Sequence, residues 1–415
     1  MAQTKPKAAQ FYGVSGNGTA GQVLISDGNG GMSWGANTEQ FTVSWNTPTG
    51  QSLTYTQPSP QSSQGTAGSA FPTTTFTATK SGEIINGTAT IAGLPTGITA
   101  TQSLSGSVVD NILTVTLAGV FPGADSLNTA LTISGLTVAI PPFTVDYLVV
   151  AGGAGGGWGY GGGGGAGGYK TNYGGTALNL NVATNYTLTI GAGGAGLMSA
   201  TNPGIIGNNG SNSVFSAITS TGGGGGGSDG VINGGSGGSG GGGSYVAGAA
   251  GAGISGQGND GGSGSPNVSS GNAAGGGGGG AGGAGANSTD KNAGGNGGAG
   301  LSNLITGSSV NYAGGGGGGC GINSSGNPGS GGIGGGGAGG KNYTGGNATA
   351  NTGGAGGGGG GGSTYYSSGA GGSGIVILRY PNTYTISGLS GTTITVGSDK
   401  VTTFTNIGTG NIQFN

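Results

Sequence analysis

No histidine occurs anywhere in the 415 residues. That removes the commonest general base, the commonest metal ligand and the side chain that changes charge near neutral pH. Only eight basic and ten acidic side chains are present, so mechanisms that need paired titratable groups have little to work with. The single cysteine, Cys320, cannot close an internal disulfide. With no imidazole to activate its thiolate, it reads as a small packing residue. Lys5, Lys7, Lys80, Lys170, Lys291, Lys341, Lys400 and Arg379 are scattered through a chain of net charge −2. They form no basic stripe for phosphates, and no nucleic-acid partner is expected. No apolar run approaches the roughly 20 residues of a membrane helix. The first eleven residues carry two lysines without the apolar core of a secretion signal, and the chain is expected to be soluble.

Motifs that would carry chemistry fail on inspection. Gly191-Ala-Gly193-Gly-Ala-Gly196 has dinucleotide-loop spacing, but Leu197-Met-Ser-Ala-Thr-Asn-Pro203 does not continue as a helix and no acidic residue stands about twenty positions on. Gly340-Lys341 is followed by Asn342 where a phosphate loop needs Ser or Thr. Pro266 replaces the ligand Asp in a calcium-type Gly-rich stretch. Paired carboxylates are the one catalytic arrangement that needs no histidine. Asp27, Glu39, Glu83, Asp110, Asp125, Asp146, Asp229, Asp260, Asp290 and Asp399 are widely dispersed, and no cleft is evident. The expectation is a non-enzymatic protein without catalytic residues, metal or cofactor.

What is abundant is glycine, 117 residues, most of it between 151 and 374 in runs such as Gly161–Gly165, Gly222–Gly227, Gly275–Gly280, Gly314–Gly319 and Gly356–Gly362. Composition alone suggests a flexible linker. Against that, the region opens with the apolar Val145-Asp-Tyr-Leu-Val-Val150 and closes with Ile375-Val-Ile-Leu-Arg-Tyr380, as though both ends were anchored in one sheet. Further strands are expected at Tyr186–Ile190 and near Ser213–Phe215, and irregular polar or aromatic turns separate the runs. Ordering glycine is costly, so ordered runs need a compensating lattice. Left-handed extended helices of three residues per turn direct every N–H and C=O outward. Packed side by side they can satisfy one another, the arrangement called polyglycine II.

The fold class read from the sequence is therefore all-β plus polyglycine II, with essentially no α-helix. Residues 1–40 form an attachment segment holding a short hairpin around Asp27-Gly28-Asn29-Gly30. Residues 41–142 alternate in runs such as Phe41–Trp45, Ile112–Leu117 and Leu131–Ser134. They read as a β-sandwich, with an immunoglobulin-like arrangement as one option. A bundle of glycine-rich left-handed helices closed by short strands spans 143–381. A short β-rich segment, 382–415, is too small for its own core and is expected to dock on the glycine domain or on another subunit.

The stretch Gly16 to Trp34, "AGQVL, glycine turn, SW", resembles a segment near the beginning of phage tail-fibre proteins. The frame "DYLVVAGG … GGGGGAGGY … YTLTIGAGG … ITSTGGGGGG … NYAGGGGGG … GGSGIVILRYP" resembles the glycine-rich domains of phage virion proteins. It is similar to the distal adhesins of T-even-like phages, from which this chain departs by its leading sandwich and its β-rich tail. The resemblance implies a tail-fibre or receptor-binding protein on the virion surface, outside the cell. Implied partners are other virion proteins and a host-surface glycan or outer-membrane protein, with a homotrimer as the assembly. The alternative is a purely structural virion component, a capsid decoration or fibre shaft.

Counting chain reversals in such a bundle assigns the turns at Trp158–Tyr160, Ser228–Asn233, Asn287–Lys291, Ile322–Pro328 and Ser363–Ser368 to the end far from the closing strands. Candidate receptor-contacting residues are Trp158, Tyr160, Tyr365, Tyr366, Asp229 and Asp290, because rigid aromatic rings give contact area at low entropic cost. The other role open to the rings is to fill gaps between helices. The apolar turn Leu301–Thr306 is expected at the near end, against the sheet.

Overall fold

The computed structural model describes residues 142–415 apart from 199–204, 266–272, 290–292, 322–326 and 363, and, before them, the strands and a few adjoining residues. The chain divides into two units, Met1–Pro141 and Pro142–Asn415. Among the described residues there is no helix.

In the first unit, Gln22–Ser26 and Met32–Ala36 pair as an antiparallel hairpin with Leu24 opposite Trp34. A four-stranded antiparallel sheet runs in the order Ile98–Ser105, Ile112–Val120, Ala70–Thr79, Thr54–Thr56. In its second strand Leu113, Val115 and Leu117 are buried while Ile112, Thr114 and Thr116 are not, the period of two that a one-sided core imposes. A three-stranded sheet places Ala130–Ser134 between Thr42–Trp45, which is parallel to it, and Thr90–Ala92, which is antiparallel.

The second unit begins with the opening strand, Phe143–Val150, paired antiparallel with the closing strand, Ile375–Pro381, so that Val149 faces Val376. Tyr169–Thr171 lies outside the opening strand; Asp399–Phe404 and then Thr392–Val396 lie beyond the closing strand. A second sheet runs Ile218–Ser220, Ser213–Phe215, Asn185–Ile190, Gly408–Phe414, Ile386–Gly388. The residues after 381 thus supply strands to both sheets. Val145, Val149, Val376, Leu378 and Phe404 of the first sheet meet Leu188, Ile190, Phe215, Ile412 and Phe414 of the second in one core. The opposite face of the first sheet, Leu148, Val150, Ile375, Ile377 and Val401, packs on Tyr169, Ile305 and Tyr312. Covered on both faces, the opening and closing strands need continuous apolar sequence rather than alternation.

Beyond the strands, the glycine runs are neither helix nor ladder, yet their backbone is hydrogen-bonded in a regular rotation. Ala151, Ala154 and Gly157 donate to Gly168, Gly165 and Gly162; Gly152 and Gly155 to Ser211 and Asn208; Gly153 and Gly156 to Gly372 and Gly369, all at 2.9–3.1 Å. The next run repeats the pattern with three other neighbours. Gly161, Gly164 and Gly167 donate to Gly359, Gly356 and Gly353; Gly162, Gly165 and Gly168 to Gly227, Gly224 and Thr221; Gly163 and Ala166 to Gly276 and Gly279. Every third N–H returns to the same neighbour, so each buried run is satisfied on three sides.

At the outer rows a neighbour is missing, and exposed asparagines replace its carbonyls. The side-chain oxygens of Asn209, Asn212, Asn233, Asn287 and Asn347 accept from the N–H groups of Gly225, Gly222, Ala249, Ser263 and Ala370 at 2.8–2.9 Å. An amide oxygen is chemically the same acceptor as the peptide carbonyl it stands in for.

Candidate functional site

The turn Trp158-Gly159-Tyr160 reverses the first glycine run, and two other turns assigned from the sequence to the far end meet it there. The Trp158 ring stands edge-on to Tyr365 with centroids 5.2 Å apart, and Tyr160 meets the same ring at 5.8 Å. The Asp229 N–H donates to the Trp158 carbonyl at 3.3 Å, and Trp158 N–H donates to Ser228 Oγ at 3.3 Å. Two further turns, Tyr245–Ala247 and Lys341–Tyr343, join this end. Tyr245 lies 5.1 Å from Tyr160 and its hydroxyl donates to Asp229 Oδ1. The Tyr366 hydroxyl donates to Asn342 Oδ1 at 2.6 Å. Leu197, hydrogen-bonded to Ser368 through both backbone and side chain, brings the exposed Met198 to the same end.

Burial separates the sequence candidates. Trp158 and Tyr160 are 5% and 7% exposed, so of the two roles open to them they perform the filling one. Asp229 and Tyr366 are half-buried. Tyr365 is 37% exposed and rests on Trp158 and Tyr160 as on a plinth. Asp290 lies outside the described residues. The outward surface is completed by Tyr343 and Val246, 54% and 46% exposed.

Burial also keeps the phenols protonated. Tyr245 is pushed far above its ordinary range, by desolvation first and then by the Asp229 carboxylate that its neutral hydroxyl serves. Tyr160 and Tyr365 move the same way for the same reasons. Cys320, completely buried, is pushed up to about 11 by desolvation, which Lys341 opposes only in part. Its thiol is an inert packing group.

The backbone of this end is unusual. Tyr160, Val246 and Ala247 adopt left-handed conformations with φ of 53°, 60° and 56°, which cost an L-residue roughly 1–2 kcal/mol each. Tyr160 is compensated by packing, and Ser244 Oγ donates to its carbonyl at 3.0 Å. The exposed Val246 has no such return within the fold.

Residues 129–381 match a protein family described as a glycine-rich domain. The chain belongs to that glycine-rich domain family. No curated protein and no solved structure matches it. Within the glycine-rich domain, sequence reasoning missed Tyr245, Val246 and Tyr343, although a signal was present: like Trp158 and Tyr365, each lies just beyond a glycine run. The apolar turn Leu301–Thr306 is found on the sheet. Its Ile305 is fully buried among Leu148, Val150 and Ile377, and Asn303 Nδ2 donates to the Tyr169 hydroxyl at 2.8 Å.

Proposed function

We propose that the glycine runs are polyglycine II helices and that the protein is a phage tail-fibre or receptor-binding subunit. On this reading the aromatic end of the glycine-rich domain contacts a host-surface glycan or outer-membrane protein, and the first unit is a β-sandwich spacer. The subunit sits on the virion as a homotrimer among other virion proteins. The scaffold reading is supported by the return of every third N–H to the same neighbour, the period of a three-residue helix.

The observation that carries the contact reading is Val246. A β-branched side chain is held at φ 60° with nearly half its surface in solvent, in a chain that uses glycine at 117 other positions. Neither packing nor backbone geometry favours valine there. Strain of this kind gathers at sites of contact. Tyr365 and Tyr343 flank it as rigid, half-exposed rings on a fixed base.

The test is binding of the purified full chain to a panel of bacterial cells, comparing wild type with a Tyr365→Ser, Val246→Asn variant that keeps a cooperative melting transition. Loss of binding in the variant is expected. Undiminished binding by the variant overturns the contact reading of this end, and no binding by the wild type leaves the purely structural virion role. Amide exchange tests the scaffold separately: the runs are expected to be protected throughout, and rapid exchange along Gly161–Gly165 would reject polyglycine II.

A further inference from the structure

A second feature of the glycine-rich domain lies beside its sheets, away from the aromatic turns. Tyr169–Thr171 is the edge strand of the first sheet, and a groove of about 620 Å³ opens along it, walled by Tyr147, Tyr169, Lys170, Thr171, Gln257 and Leu301. That volume lies within the ordinary range for small-ligand sites.

Its polar groups are aligned but unspent. Arg379 Nε is paired with Asp399 at 2.8 Å, and Lys400 Nζ donates to the Tyr384 carbonyl at 2.8 Å. The ammonium of half-buried Lys170, by contrast, makes no hydrogen bond or ion pair with any described residue. Gln257 is fixed at both ends. Its backbone carbonyl accepts from Tyr169 N–H at 2.9 Å and its Oε1 accepts from Thr221 N–H at 2.8 Å, which leaves the Nε2 donors over. No carboxylate lines the groove.

We infer that this groove binds an acidic saccharide, with a sugar-ring carboxylate on Lys170 and ring hydroxyls on the Gln257 amide and the Tyr147 hydroxyl. One ammonium without an arginine fork suits a single negative charge better than a phosphate group, which draws bidentate donors. Half-buried Tyr147 supplies a flat apolar face of the kind against which sugar rings pack. The site is independent of the aromatic end and of any contact made there.

The test is ligand-observed NMR titration of the full chain with glucuronate, N-acetylneuraminate, glucose and acetate. Saturable, millimolar binding of at least one acidic sugar is expected, with glucose and acetate each about tenfold weaker or worse. Lys170→Gln, which keeps the stem of the side chain, should lower that affinity about tenfold at unchanged melting temperature. The Tyr365→Ser, Val246→Asn variant should bind as wild type does. No saturation by either acidic sugar, equal binding by glucose or acetate, or undiminished binding by Lys170→Gln overturns the assignment. Whether the aromatic end binds cells has no bearing on any of these outcomes.

Discussion

A β-carbon on Gly163 would lie 2.0 Å from the carbonyl oxygen of Gly316, in a run far along the chain. Neither backbone can retreat, because Gly163 N–H is bonded to Gly276 at 3.0 Å and Gly316 N–H to Gly164 at 3.0 Å. A single methyl group must therefore push apart several runs that are locked together.

Gly163→Ala is accordingly expected to destabilise the glycine-rich domain by about 3 kcal/mol or more, the upper end for overpacking. Gly174 is the control. Its φ is +83° but nothing lies within 4 Å of the added carbon, so Gly174→Ala should cost only the roughly 1–2 kcal/mol of left-handed strain. Denaturant unfolding of both variants measures the difference, and equal losses would show that space does not govern the lattice.

Closing the outer rows with asparagine has its own signature. Asn212→Ala leaves the N–H of buried Gly222 without its acceptor, at an expected cost of about 1–2 kcal/mol. Asn347→Ala frees the N–H of Ala370 in an exposed bond, where water substitutes and a few tenths of a kcal/mol is expected. Thermal melts of the pair check the order.

Val246→Asn should raise stability by about 0.5–1 kcal/mol, since asparagine tolerates the left-handed region far better than a β-branched residue. Differential calorimetry measures it. A loss of stability would mean that the exposed valine packs usefully after all.

Stability should fall steeply in alkali. Tyr147, Tyr160, Tyr169, Tyr245, Tyr312 and Tyr365 are all raised above 10.0, chiefly by burial. In the unfolded chain these phenols ionise first, so above pH 10 the unfolded state binds fewer protons than the folded state. Their contribution is complete below pH 10 and is lost as pH rises through the folded values. Melting curves from about pH 8 to 11.5, with phenolate absorbance as the titration probe, should show the drop. Tyr245→Phe should make it shallower.

Several elements were legible from residues alone. The apolar runs at Val145–Val150 and Ile375–Tyr380 announced strands because both their faces are buried. Ile112–Leu117 announced one because only alternate positions are. The reversal count brought Trp158, Asp229 and Tyr365 to one end because run lengths fix where a chain of extended segments can turn. Tyr245 and Lys341–Tyr343 escaped that count, since short runs broken by serine or alanine do not look like separate runs.

By itself the sequence determined where the chain is extended, where it turns and which stretches lack side chains, for these follow from local apolar period and from glycine. It could not determine which run lies beside which. A glycine run carries no side chain to label its partner, and Gly163 could equally have bonded to any other carbonyl of the right spacing. The pairing of Gly163 with Gly276, and the packing against Gly316, exist only in the assembled lattice. For the same reason tertiary structure alone divided the aromatic turns into buried Trp158 and Tyr160 and exposed Tyr365. The phenols of Tyr160 and Tyr365, at the same end of the runs, lie inside or outside according to which neighbours the lattice supplies.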